Sequence, residues 1–228
     1  MSGSIQLPSF EALTASDVAA LKLQNAGSGV LASGLTTFGQ VFEQGTLSTT
    51  QGLVARIGLT SVPVQIDVKS TWEDGSIKMA VLTFARPELA AGDEVDVVLT
   101  RSAATAAAAV DLAAVLDDHS FTVDLTLQGK ATQTIDVIAA LKDAIAAGTA
   151  SYWQEGPLAT QARVDIPVGG SQHLIFDVTA WKSGEISVEA QFNNDLAMGN
   201  SGGSASYTAV VRMDGAIVDN ETVTQAQY

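Results

Sequence analysis

The sequence predicts a mainly β protein of two β-barrel or β-sandwich domains with one or two short helices. Three observations predict it. Period-two alternation runs through residues 53–101 and again from 121 onward; in the clearest case Val62, Val64, Ile66 and Val68 are set against Pro63, Gln65, Asp67 and Lys69. The hydrophobic share is 46%, much of it Ala and Val, and aromatics are only 6%, which suits thin layers between sheets. An alanine-rich join, 102–109, separates the two patterned stretches.

Residues 1–45 are expected to be an N-terminal arm. Within it, 9–24 begins with Ser9 as a cap and spaces Phe10, Leu13, Val18, Leu21 and Leu23 as a short helix or ordered arm would. Gly27, Gly29 and Gly34 then interrupt the chain before Phe38 and Phe42, so Phe10, Phe38 and Phe42 are the expected assembly contacts of the arm.

The first β domain is expected at 46–101, with strands at 53–58, 62–70, 76–86 and 94–101 forming a four-stranded antiparallel unit. Pro63 suits a strand start or edge, where its missing donor costs nothing. Glu73-Asp74-Gly75-Ser76 reads as a hairpin tip, with Asp74 and Gly75 as its structural turn residues. A linker and short helix follow at 102–118.

The second domain is expected at 119–228. It has strands at 121–129, 162–168, 173–181, 185–192 and 207–215 and near Val223, and a helix at 135–147 ended by Gly148. Loops fall at 193–195 and 199–203.

Composition narrows the function classes. Twenty-five acidic residues against 11 basic give a net charge of −14, a field that repels phosphate backbones and anionic lipid. Nucleic acid and membranes are therefore not expected partners. The absence of cysteine excludes disulfides, thiolate metal sites and cysteine nucleophiles. The first residues lack a basic segment followed by an apolar run, so no export signal is expected, and no stretch approaches the length of a membrane span.

Candidate chemistry is sparse. His119 and His173 have no partners at catalytic or zinc spacing, and no catalytic residue, cofactor or metal is expected. Glu73-Asp74 and Asp117-Asp118 lack the loop spacing of a calcium motif and read as solvated turn charges. Asn220-Glu221-Thr222 matches a glycosylation sequon, a pattern common by chance. Trp72, Trp153 and Trp181 each lie beside a turn, where an indole packs the end of a sandwich or presents a face to a sugar or partner.

One stretch carries a resemblance. Val62-Pro63-Val64-Gln65 through Trp72-Glu73-Asp74-Gly75-Ser76-Ile77-Lys78 and Val81-Leu82-Thr83-Phe84 resembles the signature of the N-terminal RIFT-barrel β domain of the exo-rhamnogalacturonan-lyase-like family. The second tryptophan of that signature is replaced by Met79-Ala80, which puts in doubt any ligand role attached to it. Tyr152-Trp153-Gln154-Glu155-Gly156-Pro157, followed by His173-Leu174 and Phe176-Asp177-Val178, looks like the family's second β domain.

The resemblance implies two β modules of a kind also found in virion structural proteins of tailed bacteriophages. In lyases of the family the chemistry lies in a further domain, so no catalytic residue carries over. The expectation is a non-enzymatic virion protein: a head decoration, head-fibre or tail-surface subunit located in the particle. Its partners would be copies of itself, a trimer among the arrangements, other virion proteins and host surface glycans. The alternative is a carbohydrate-recognition or accessory module of a polysaccharide-degrading enzyme.

Overall fold

The computed structural model describes residues 13–195 and 203–227, in two units that divide at Ala108/Ala109. Phe10 lies outside the described residues.

In the first unit six strands pair antiparallel: β1 Asp17–Gln24, β2 Gly34–Val41, β3 Gln51–Ile57, β4 Thr60–Thr71, β5 Ile77–Arg86 and β6 Glu94–Ala103, in the order β1-β6-β3-β4-β5-β2. Alternation selects one face of each. Leu53, Ala55, Ile57, Ala80, Leu82, Phe84, Val97 and Leu99 are buried in one cluster, with Phe38 and the β1 residues Ala19, Leu21 and Leu23 packed against it. Core-facing residues from all six strands meet in that cluster, so the sheet curls around its own apolar face rather than lying flat. Pro63 lies inside β4, where the β3 partner is Val54 and pairing with β5 begins only at Gln65. One side of the strand is unoccupied there, which makes the proline harmless.

The expected arm is corrected. Residues 17–24 and 34–41 are not a helix or a docking segment; they are the two edge strands of this sheet, paired with β6 and β5. The helical spacing of Val18 and Leu21 masked the alternation Ala19, Leu21, Leu23 that faces the core. Phe42 is 3% exposed, and Phe38 packs edge-to-face on Phe84 with centroids 5.9 Å apart. Both belong to the core of the first unit. The first β unit therefore begins before residue 46 and has six strands, not four.

The second unit has two four-stranded antiparallel sheets. One contains β9 Ser151–Glu155, β10 Ala159–Gly169, β11 Gln172–Trp181 and β12 Ile186–Asn194 in the order β12-β11-β10-β9. The other contains β7 Phe121–Leu127, β8 Gln133–Asp136, β13 Ala205–Met213 and β14 Ala216–Gln225 in the order β14-β13-β7-β8. Phe121, Val123 and Leu125 from β7 share a core with Leu174, Phe176 and Val178 from β11 and Tyr207, Ala209 and Val211 from β13. At its centre the fully buried Phe176 meets Phe121 and Phe192 edge-on, and Phe192 stacks on Tyr207.

Helix α2 spans Val137–Ala146 and packs on β7 of one sheet and β10 of the other. The Asp136 carboxylate caps it by accepting from the Ala139 N–H at 2.9 Å, and Gly148 leaves it with φ +67°. The helix is thus shorter than 135–147, because Ile135 and Asp136 belong to β8, where Ile135 pairs with Val123. The alanine-rich join is not helical: β6 runs to Ala103, and the short helix α1 covers only Leu112–Val115, continued by a 3₁₀ turn to Asp118. Strand β14 is an edge strand exposed over most of its length, and Asp219 and Glu221 lie opposite the core residues Val211 and Ala209.

Candidate functional site

Of the three tryptophans, Trp72 belongs to the first unit and serves its structure. Its Nε1–H donates to the Phe42 carbonyl at 3.0 Å, and the Lys78 ammonium stands 4.7 Å over the ring. The Phe42 N–H in turn donates to the Lys78 carbonyl. Trp72, Phe42 and Lys78 therefore fasten the end of β2 to the β4–β5 hairpin.

The hairpin tip is longer than a two-residue turn. The Trp72 N–H donates to the Ser76 carbonyl, and Gly75 alone of the tip residues has positive φ, +80°. Asp74 accepts from the Ser76 hydroxyl at 2.6 Å and from its backbone N–H at 2.9 Å, and those bonds hold its carboxyl below the usual range.

Trp153 and Trp181 share a sheet but stand on β9 and β11, with β10 between them. Trp181 donates from Nε1 to the Ser187 hydroxyl at 3.3 Å. Trp153 is 49% exposed and follows Tyr152, 40% exposed. The pairing of β9 with β10 shifts register between Gln161 and Ala162, so Trp153 is the extra residue of a bulge. The bulge interrupts alternation and leaves two successive aromatics accessible on an edge strand.

The outer face of this sheet carries a polar ladder that sequence reasoning did not assemble. Gln161 donates to the Thr179 hydroxyl at 2.9 Å. Arg163 grips Asp177 with two bonds, 2.9 and 2.7 Å, and that carboxylate raises the guanidinium's pKa further. His173 stands between Asp165 on Nδ1 and Asp195 on Nε2, each at 2.7 Å. Burial alone would push this imidazole down, but the two carboxylates outweigh it and the net shift is upward.

His119 occupies a comparable node between two turns. Its Nε2 lies 2.9 Å from the Gly184 carbonyl and its Nδ1 3.1 Å from Asp214, and its pKa is raised by the carbonyl bond first and the carboxylate second. The signal for the ladder was present as period-two polar residues, Arg163 and Asp165 on one strand and His173 and Asp177 on the next. What the sequence withheld was their register.

A further node lies at the start of β1. Asp17, with a side chain 1% exposed, accepts from the Thr100 hydroxyl at 2.6 Å and from the Thr14 N–H and hydroxyl at 2.8 Å; Arg56 stands at 3.3 Å. These bonds hold its carboxyl at about 2. Among the described residues no group of three or more His, Asp and Glu side chains is arranged to hold a metal ion. Asn220 of the sequon lies on exposed β14.

The family model of the PcRGLX-like N-terminal RIFT barrel domain matches residues 19–97. The matched residues run from within β1 to within β6, and the likeness to a RIFT barrel domain covers that stretch alone. The match begins inside the stretch expected to be an arm and stops before the second unit. No curated protein and no solved structure matches the chain.

Proposed function

We propose that the chain is a non-enzymatic structural protein of the surface of a tailed-bacteriophage virion, a head decoration, head-fibre or tail-surface subunit that assembles with copies of itself. One observation carries the reading: within each unit the polar side chains are committed to partners of that same unit. Asp17, Asp74, His119, Arg163 and His173 each fasten strands or turns, and every buried side-chain nitrogen and oxygen among the described residues has a hydrogen-bond partner. Groups so engaged fasten strands and turns, as a durable structural module requires. The acidic surface supports the same reading, since it keeps β modules soluble when many copies are close together.

Antibody labelling of density-gradient-purified particles from a culture that produces the chain tests this, with native mass spectrometry of the purified protein. Surface decoration of particles and a defined oligomer are expected. Label confined to the particle-free supernatant overturns the reading.

A second reading, a carbohydrate-recognition module of a polysaccharide-degrading enzyme, is favoured by the consecutive exposed Tyr152 and Trp153 and by the RIFT barrel match. A glycan array separates the two. Binding that survives in the parent chain and is lost in Trp153→Ala, without any particle association, supports the accessory module.

A further inference from the structure

The two histidines of the second unit share a geometry that ordinary surface histidines lack. Each places both ring nitrogens against oxygens that only accept. For His173 these are the carboxylates of Asp165 and Asp195, and for His119 the Asp214 carboxylate and the Gly184 carbonyl. A neutral imidazole has one N–H and one lone pair, so in either tautomer one lone pair would face an oxygen at 2.7–3.1 Å. Only the imidazolium, with two N–H donors, satisfies both contacts. The histidine side chains are 8% and 19% exposed while the carboxylates of Asp165, Asp195 and Asp214 are about half-exposed, so the rings are held from the protein side of contacts whose acidic partners stay in water.

The partners belong to different elements. His119, just before β7, reaches the β13–β14 turn through Asp214 and the β11–β12 turn through Gly184, and those turns belong to different sheets. Asp214 also accepts from the Ser120 N–H at 2.8 Å. His173, on β11, lies between Asp165 of β10 and Asp195 just beyond β12.

We propose that His119 and His173 are proton-held clasps that fasten the turns and strand ends of the second unit while their rings are charged and release them when the rings lose a proton in alkaline surroundings. The charged groups facing His119 are Asp214 and Asp118, and those facing His173 are Asp165 and Asp195; all are acidic and favour the imidazolium. Both rings accordingly bind their proton more tightly folded than unfolded. The stability they contribute is fully present below the ordinary histidine value of 6.5 and is lost as pH rises through the raised folded values. The second unit is thereby set for acidic to neutral surroundings.

Nitrogen-15 NMR of the histidine rings in the full chain at pH 7.0, where an unperturbed imidazole is mostly neutral, reads the charge directly. Both rings should show two protonated nitrogens; a neutral tautomer at either ring overturns its clasp. A second measurement follows unfolding between pH 6 and pH 9. The folding constant should fall by about tenfold for each unit by which a folded pKa exceeds the unfolded one, up to the pH of that folded pKa. His119→Gln and His173→Gln should each remove their share of that slope. An unchanged slope in both variants overturns the proposal. If a Gln variant does not fold, Asp195→Asn reports instead: it must lower the pH at which the His173 ring titrates, and an unmoved titration overturns that clasp.

Discussion

Asp17→Asn tests whether β1 is an integral strand of the first unit. The carboxylate is held at about 2 against an ordinary 3.8, and its side chain is almost wholly buried. At 1.36 kcal/mol per unit, that separation stabilises the folded state by about 2 kcal/mol at neutral pH. The sign follows from the lowered value: the contribution is present above 3.8 and is lost as pH falls toward 2. An asparagine keeps the shape and one acceptor oxygen but turns a nitrogen toward the donors, and it loses the charge that strengthens the Thr100 and Thr14 bonds. The variant should therefore be less stable at pH 7 by about 2 kcal/mol, with a flatter acid limb. Hydrogen exchange followed by mass spectrometry should locate the loss in 17–24 and 94–103, the two strands Asp17 ties together. A change under about 0.5 kcal/mol, the range of an ordinary surface substitution, with protection unaltered in both segments, would refute the reasoning.

Further outcomes follow from the same unit and its neighbour. Gly75→Val places a β-branched residue at φ +80° and should cost about 1–3 kcal/mol by chemical denaturation, and an unchanged midpoint would count against that conformation. Gly52→Ala would set a methyl 2.5 Å from the Ala103 carbonyl oxygen and should destabilise measurably, whereas Gly29→Ala meets nothing within 4 Å and should be nearly neutral. Deleting residues 1–45 removes β1, β2 and the buried Phe42 and should unfold the first unit; a protected, cooperatively melting first unit in the truncated chain would show those strands to be dispensable. Phe176→Ala removes the aromatic hub of the second unit and should cost about 3–5 kcal/mol, read as a fall in its melting temperature.

Strands whose two faces differ in polarity were legible from the sequence. β4, β6 and β10 lie where alternation placed them, because a partly buried strand records its burial in every second residue, whereas β5 and β11, buried on both faces over most of their length, were legible as apolar runs bounded by turns. β8 and β9 escaped notice for a physical reason: four or five residues give too few alternations, and the β9 bulge breaks the period at Trp153. β1 and β2 were misread because edge strands bury less and because Gly34 and Gly39 dilute the pattern. The polar nodes were invisible as pairs. Asp17 and Thr100 are 83 residues apart and His119 and Asp214 95 apart, and only register across strands or turns brings such groups together.

The outermost strand of the second unit bears on crowding. Two β14 edges meeting side by side would align backbone donors and acceptors along ten residues with Ile217 and Val218 already uncovered, the geometry from which stacked fibrils grow. The same approach brings Asp219 and Glu221 of each copy together, four carboxylates with no lysine or arginine on the strand to neutralise them. Edge-to-edge encounters between copies are thus repulsive within roughly the 10 Å over which 0.1 M salt screens a charge. Concentrated brine shortens that reach severalfold, so the guard against pairing at this edge weakens as ionic strength rises.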